Sequence, residues 1–257
     1  MFQPTIKTKC NGIPILTKGE LDEIGEYVAG DFCSDALRTP TAIDVDRLLT
    51  RYCGLKQDFH YLSHNGLYLG MIVFNDSNRV VIFDKEAYQA DYISVKAGTV
   101  IIDTGLLEDN QEHRYRYTVV HECGHGLLHK DVFYRDPNQL SMLDSQQEPI
   151  IQCRRDSKAK PVRDFGKWTS DDWMEWQANR FSSAVLMPRC MVKKLADEIV
   201  CYEKGILRTM RMVTEVSKAF NVSFDAAEYR LIDMGYINRD EAVAAGTLRT
   251  ITRAMGY

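Results

Sequence analysis

The residues best suited to chemistry in this sequence form the segment His121-Glu122-Cys-Gly-His125. Two histidines four positions apart lie on one face of an α-helix, about 5–6 Å from each other, so both imidazoles can bind one metal ion. The spacing therefore predicts two ligands of a tetrahedral zinc site. Glu122 is rotated about 100° around the helix axis, which would place it beside the metal. There it could take a proton from a metal-bound water and pass it to a leaving amine.

A zinc site of this kind needs a third protein ligand, and two residues are candidates. His129 lies about 12 Å beyond His121 along the helix axis and cannot reach the same ion unless the helix breaks, so we expect it behind a ligand or at the helix end. Glu175 lies in a second predicted helix, on a face that also carries Ala178 and Asn179. Small residues there would let the two helices pack closely. Glu175 is the predicted third ligand, and Asn179 could accept the ring N–H of a ligand histidine.

Helices and short strands must position these residues. Thr17-Lys-Gly-Glu20 has capping-box spacing and predicts a helix, and a second short helix follows the break at Thr39-Pro-Thr41. Four β-rich runs then predict a small, antiparallel sheet, with Asn65-Gly66 as a hairpin turn. The runs are 59–62, 67–74, 80–83 and 99–102. We expect Thr99 to Ile102 to be an edge strand that could pair with an extended substrate.

The second half of the chain is predicted to be mainly helical. A helix from about Asp109 to Lys130 contains the histidine motif, and another runs from Ser170 to about Pro188. Between them, 131–169 shows little periodicity and predicts a loop, in which basic residues outnumber acidic ones over 151–169. The remainder is helical in pattern, with a weak helix-turn-helix outline over Val213 to Ile237.

These elements predict an α+β fold, mainly helical, with a small antiparallel sheet packed on the helix of the histidine motif and a C-terminal helical segment after it. We expect an N-terminal helical cap over 1–56, a metallopeptidase core over 57–188 and a helical segment over 189–257. The last segment could also continue the core as one domain.

The composition excludes several classes of protein. The chain has 257 residues, 45% of them hydrophobic, and a formal net charge of -4, so it is not a strongly basic binding protein. No window approaches the ~20 apolar residues of a membrane span. The seven cysteines contain no CxxC pair, which disfavours a disulfide framework or a zinc ribbon. We expect a soluble, cytoplasmic protein with no membrane partner.

Two segments resemble the ImmA/IrrE family of metallo-endopeptidases. One is Arg114 to His129, with the sequence RYRYTVVHECGHGLLH, and the other is Glu175 to Pro188, with the sequence EWQANRFSSAVLMP. Val216 to Gly235 looks like the helical segment that follows the metal site in that family. The sequence departs from the family pattern at Gly126 and at Ser182-Ser183, where bulky apolar and alanine residues are usual.

The resemblance implies a zincin-like fold and a gluzincin-like zinc site, with His121, His125 and Glu175 as ligands and Glu122 as the catalytic acid/base. Mn²⁺ remains an alternative working metal. It also implies a substrate class, because the family typically cleaves a helix-turn-helix repressor of a mobile element or stress regulon. The expected function is therefore a repressor-cleaving zinc endopeptidase.

Two other functions compete with this one. The helix-turn-helix outline could belong to a DNA-binding regulator, and the zinc could be structural in a non-catalytic protein that binds a repressor. The segment from Lys204 to Tyr257 has eight Lys/Arg and six Asp/Glu residues, a weak charge for neutralising phosphates. Direct nucleic-acid binding is therefore not expected. A purely structural site would have no use for Glu122.

Overall fold

The computed structural model describes residues 6–133, 150–154, 168–202 and 204–254. The chain divides into two compact units. Unit 1 comprises Met1–Leu21 and Asp44–Ser182, and unit 2 comprises Asp22–Ile43 and Ser183–Tyr257. The three-part organisation expected from the sequence stays a prediction. Most of the basic loop, 155–167, lies outside the described residues.

Unit 1 contains two sheets. Their strands are β1 (Lys56–His60), β2 (Tyr68–Val73), β3 (Ser77–Asp84), β4 (Gln89–Val95), β5 (Thr99–Asp103) and β6 (Ile150–Arg154). The larger sheet has the order β1-β5-β2-β6, in which β1 runs parallel to β5 and the other pairs are antiparallel. The smaller sheet is the antiparallel pair β3-β4. A hydrophobic cluster that includes Met71, Val80 and Ile101 joins residues of both sheets.

Several expectations about the sheet were wrong. The larger sheet is mixed, because β1 and β2 do not pair with each other across Asn65-Gly66; both pair with β5 instead. Gly66 does adopt the left-handed conformation of a turn, with φ 63°. All five residues of β5 are buried, so it is an interior strand and offers no free edge to a substrate. Strand β6 lies in the segment predicted to be a loop.

The helices of unit 1 surround the histidine motif. Helix α3 (Glu112–Leu128) follows a 3-10 turn (Thr104–Leu107) and packs on β2 and β5. It is buried on more than one side, since Val119, His121 and Cys123 all have 0% exposure. The short helices α2 (Val45–Arg47) and α4 (Lys130–Phe133) and a π-helical turn (Leu48–Tyr52) complete the surroundings of α3.

Helix α5 (Ser170–Leu186) carries Glu175. It begins with a reciprocal cap, in which Thr169 N–H donates to Asp172 (2.9 Å) and Asp172 N–H donates to Thr169 Oγ1 (3.2 Å). The cap predicted for α1 (Lys18–Phe32) is confirmed as well, because Thr17 and Glu20 make the same pair of bonds.

The elements that the structure describes in unit 2 are all helices. After α1 and a 3-10 turn (Ser34–Leu37), its helices are α6 (Arg189–Val200), α7 (Gly205–Phe220), α8 (Phe224–Asp233) and α9 (Arg239–Ala254). The turn between α7 and α8 lies within the helix-turn-helix outline of the sequence. Asn221 ends α7 in the left-handed conformation (φ 51°), and Ser223 Oγ caps α8 by accepting from Ala226 N–H at 3.1 Å.

The fold class, α+β and mainly helical, is confirmed, and the zincin-like assignment stays a prediction. Within the described ranges, no helix combines the length and the apolar character that crossing a membrane requires.

Candidate metal centre

Two helices of unit 1 bring three potential metal ligands together. His121 and His125 project from α3, and Glu175 projects from α5. The Nε2 atoms of the two histidines lie 3.0 Å apart. Glu175 Oε1 lies 3.2 Å from His125 Nε2, and Glu175 Oε2 lies 3.5 Å from His121 Nε2. One atom from each residue fits within a 4.8 Å cluster. Two imidazoles and one carboxylate can hold a divalent metal ion with a coordination position left open.

A glycine allows α3 and α5 to approach this closely. A Cβ on Gly124 would lie 2.9 Å from Phe181 Cδ1 and 3.3 Å from the Cα of Ala178. Ser182 keeps its hydroxyl within α5 by donating to the carbonyl of Ala178 at 2.8 Å. The contact between the helices therefore needs a residue without a side chain on α3 and a small residue on α5, which sets the distance from Glu175 to the histidines.

Glu122 lies beside this cluster and is fully buried. Neither of its carboxylate oxygens has a hydrogen-bond partner among the described residues. Burial raises the pKa of Glu122 to about 8, and the nearby His121 opposes that shift. Gly70 of β2 lies against the Glu122 side chain. A Cβ on Gly70 would lie 3.0 Å from Glu122 Oε1 and 2.7 Å from Thr118 Cγ2. The carboxyl group thus sits against bare backbone with both oxygens available.

Two of the candidate ligands, Glu175 and His125, have pKa values shifted towards the states that bind a metal. Burial would raise the pKa of Glu175, but the neighbouring His121 and His125 outweigh burial and hold that pKa below its ordinary value. Burial lowers the pKa of His125 despite the neighbouring carboxylate. A carboxylate and a neutral imidazole are the forms that donate an electron pair to a metal.

The two residues expected behind the ligands each contact a different histidine. Asn179 Oδ1 lies 3.2 Å from His121 Nδ1 and also accepts from the Tyr117 hydroxyl at 3.3 Å. His129 is fully buried at the end of α3, with its Nδ1 2.9 Å from Nδ1 of His125. Burial lowers the pKa of His129 to about 3, so it is neutral. Each candidate ligand histidine therefore has a partner at the ring nitrogen that faces away from the cluster.

Gln177 is a polar residue of this centre that the sequence pattern did not predict. Gln177 is 1% exposed, and its Oε1 lies 2.9 Å from Nε2 of His129. It stands only two positions from Glu175 and so points to another side of α5, which is why the shared face of that helix gave no reason to select it.

The residues present fit a divalent metal ion. The donor set is two nitrogens and a carboxylate, which suits such ions, and both oxygens of the adjacent buried Glu122 are free of partners within the described part of the chain. A buried carboxylate in this state is costly to the fold unless it interacts with something that binds there.

The comparisons with known proteins agree with this class of site. The family Peptidase M78, described as the IrrE N-terminal-like domain, matches residues 153–232. The match includes Glu175 and Asn179 and begins after the histidine motif. It supports the resemblance to the ImmA/IrrE family and supports a metallopeptidase. A search of curated proteins found no match.

Proposed function

We propose that this protein is a zinc-dependent endopeptidase that uses Glu122 as its catalytic acid/base. The observation that carries the proposal is the position of Glu122. It is buried beside three converging metal-ligating side chains, and both its oxygens lack a partner among the described residues. A structural metal site requires ligands only, whereas hydrolysis also requires a group that accepts and returns a proton.

His121, His125 and Glu175 would hold the metal. Bound there, zinc would act as a Lewis acid that polarises the scissile carbonyl and makes water more acidic. Two imidazoles and a carboxylate with an open position are typical of catalytic zinc, although Mn²⁺ also accepts such ligands.

The side chains then divide the remaining work. Glu122 accepts a proton from the attacking water and delivers it to the leaving nitrogen. Its surroundings favour this role, because both carboxyl oxygens lack a partner among the described residues and can exchange a proton with a bound water. Gly70 leaves room for the carboxyl group, and Asn179 orients His121.

We propose a helix-turn-helix repressor of a mobile element or stress regulon as the substrate, with cleavage in the cytoplasm. The resemblance to the ImmA/IrrE family and the peptidase match are its support. The second candidate is a non-catalytic repressor-binding or DNA-binding protein with a structural zinc. It does not explain why Glu122 is buried without a hydrogen-bond partner among the described residues.

Metal content tests the site. We expect about one zinc per chain in protein purified without chelator, and a sharp fall in Glu175→Ala. Asp171→Ala, which removes an exposed acid from the same helix, is the matched control and should keep the metal. A wild-type protein that takes up no metal after zinc is added back would overturn the proposal.

Mapping of new N-termini tests the substrate class. Extracts of the source cells would be incubated with wild-type protein or with Glu122→Gln, and the new protein N-termini compared. Cuts made only by the wild type, within a protein that contains a helix-turn-helix domain, are expected. Cuts confined to other proteins would contradict the repressor assignment but not the peptidase one.

A further inference from the structure

A line of buried polar groups leads away from the candidate metal centre behind His125. The Nδ1 atoms of His125 and His129 lie 2.9 Å apart, and His129 Nε2 lies 2.9 Å from Gln177 Oε1. Gln177 Nε2 then donates to the backbone carbonyl of Pro14 at 2.7 Å. Both histidines have 0% exposure and Gln177 has 1%, so water does not compete for these contacts.

The carbonyl of Pro14 determines where each hydrogen in this line must be. A carbonyl oxygen only accepts, so the Gln177 atom that faces it must be the amide nitrogen. The amide oxygen then faces His129 and requires a hydrogen on His129 Nε2. A neutral imidazole has one N–H, so Nδ1 of His129 has none and must accept.

The same logic reaches the metal ligand. Because His129 Nδ1 accepts, His125 must carry its hydrogen on Nδ1 and a free electron pair on Nε2. That Nε2 is the atom that faces His121 and Glu175. The line of bonds thus prepares His125 to ligate through the nitrogen that the cluster needs, and it does so independently of any metal.

The far end of the line is anchored by an N-terminal loop, 7–15. Ile15 N–H donates to the carbonyl of Lys7 at 2.8 Å, and Lys9 N–H donates to that of Ile13 at 2.8 Å, which closes the loop around Pro14. The loop also contacts α5, because the Lys9 ammonium lies 4.6 Å from the ring centroid of Trp173 and Asn11 donates to Ser170 Oγ at 3.0 Å. Pro14 is therefore held next to the helix that carries Glu175.

We propose that Gln177 is a positioning residue for the metal site, which fixes the tautomers of His129 and His125 and is itself oriented by the carbonyl of Pro14. This inference rests on the proposed metal site. It assigns part of the N-terminal loop to that site, although the loop contains none of the ligands.

His121 provides an internal comparison. Its Nδ1 faces Asn179 Oδ1, which also accepts from the Tyr117 hydroxyl. That link runs through one amide on α5 itself. Gln177 instead acts through a second imidazole, so its loss should release the tautomers of both His129 and His125.

The test combines metal affinity with the tautomers of the histidines in the full-length protein. Zinc affinity would be measured by competition with a chromophoric chelator, for wild type, Gln177→Met and the control Ser182→Ala. Methionine keeps the length of glutamine but cannot accept the His129 hydrogen. Loss of a group behind a ligand typically weakens metal binding about 10–100-fold, which we expect for Gln177→Met. Ser182→Ala removes a buried hydroxyl from the same helix and should bind zinc as the wild type does.

Nitrogen-15 NMR of the histidine rings supplies a readout that a merely structural role would not move. In wild type we expect the Nε2–H tautomer for His129 and the Nδ1–H tautomer for zinc-bound His125, and in Gln177→Met we expect His129 to lose its single tautomer. An Nδ1–H tautomer of His129 in wild type overturns the inference even if Gln177→Met does not fold. If wild type binds zinc and Gln177→Met binds it with the same affinity, the inference about Gln177 is overturned and the proposed function is not. Absence of zinc binding in wild type overturns both it and the proposed function.

Discussion

The two units bury charged groups in opposite ways. In unit 2, Arg230 is 1% exposed, and its Nη1 lies 2.5 Å from Asp22 Oδ1 while its Nε donates to the carbonyl of Met187 at 3.1 Å. In unit 1, Glu122 is equally buried, but its oxygens have no partner within the described residues. The first arrangement pairs a buried charge with an opposite one, and the second leaves an ionisable group without a partner.

This difference separates a structural role from a functional one. A buried ion pair is stable because each charge has its partner, and removal of one partner leaves the other uncompensated. A buried carboxylate without partners reduces stability and is retained where it does chemistry. We therefore expect substitutions at Arg230 to affect stability and substitutions at Glu122 to affect activity.

The largest effect is expected for Glu122→Gln. The amide cannot accept the proton of the attacking water, so the cleavage rate should fall by about 10²–10⁴-fold while zinc content stays near that of wild type. The rate on an identified substrate and metal analysis of the same preparation would measure this. Retained turnover would show that Glu122 is not the acid/base.

The next largest effect is expected for Arg230→Met, which leaves the buried carboxylate of Asp22 with only the longer contact to the exposed Arg189, 3.8 Å away in unit 2. We expect a loss of about 3–5 kcal/mol in the free energy of unfolding, measured with urea. Arg208→Met is the matched control, because Arg208 pairs with Glu241 at 3.5 Å where both side chains are partly exposed, and it should lose less than about 1 kcal/mol. Equal losses of unfolding free energy in the two variants would show that burial does not make the Arg230–Asp22 pair more important for stability than the Arg208–Glu241 pair.

A pair of glycines on α3 tests the spacing between the helices. Gly124→Ala would press on the Cα of Ala178 and should cost about 1–3 kcal/mol of stability and weaken zinc binding. Gly126→Ala meets only the side-chain ends of Leu55 and Ile72, which can move, so it should bind zinc normally. Chelator competition on both variants distinguishes them, and equal affinities would show that close contact at Gly124 does not position Glu175.

The smallest effect is expected on the stability of unit 1, from the loss of the unpaired carboxyl group of Glu122. In metal-free protein at about pH 9, above the pKa of about 8 that burial gives Glu122, Glu122→Gln should raise the free energy of unfolding by roughly 1 kcal/mol, because a neutral amide is less costly to bury than an unpaired carboxylate. Urea unfolding in the presence of a chelator would measure this. A destabilised Glu122→Gln would mean that Glu122 has a structural partner.

Local patterns predicted much of the site and of the helices. His121, Glu122 and His125 follow from the helical period, which is a property of adjacent turns. Caps such as that of Thr17 and Glu20 are equally local, because the bonded groups are three residues apart. The prediction of Glu175 needed one further argument, which was that the small residues on its face of α5 would let that helix pack against α3.

The sheet could not be predicted in the same way, because strand pairing depends on distant residues. Asn65-Gly66 correctly indicated a turn, but the choice of partners for β1 and β2 was decided by β5, a fully buried strand that needs neighbours on both sides. Strand β6 is recognisable only by its pairing with β2, about eighty residues earlier in the chain.

The sequence by itself determined the two histidine donors of the candidate metal site, because residue type and helical spacing suffice to place two imidazoles together, and it suggested Glu175 as the third donor. Only the tertiary structure decided how those donors are oriented. Gln177 and Pro14 are 163 positions apart in the chain, yet their hydrogen bond sets the hydrogens on His129 and His125. Such a bond leaves no local pattern, since it forms only when the fold removes water and brings distant polar groups within reach of one another.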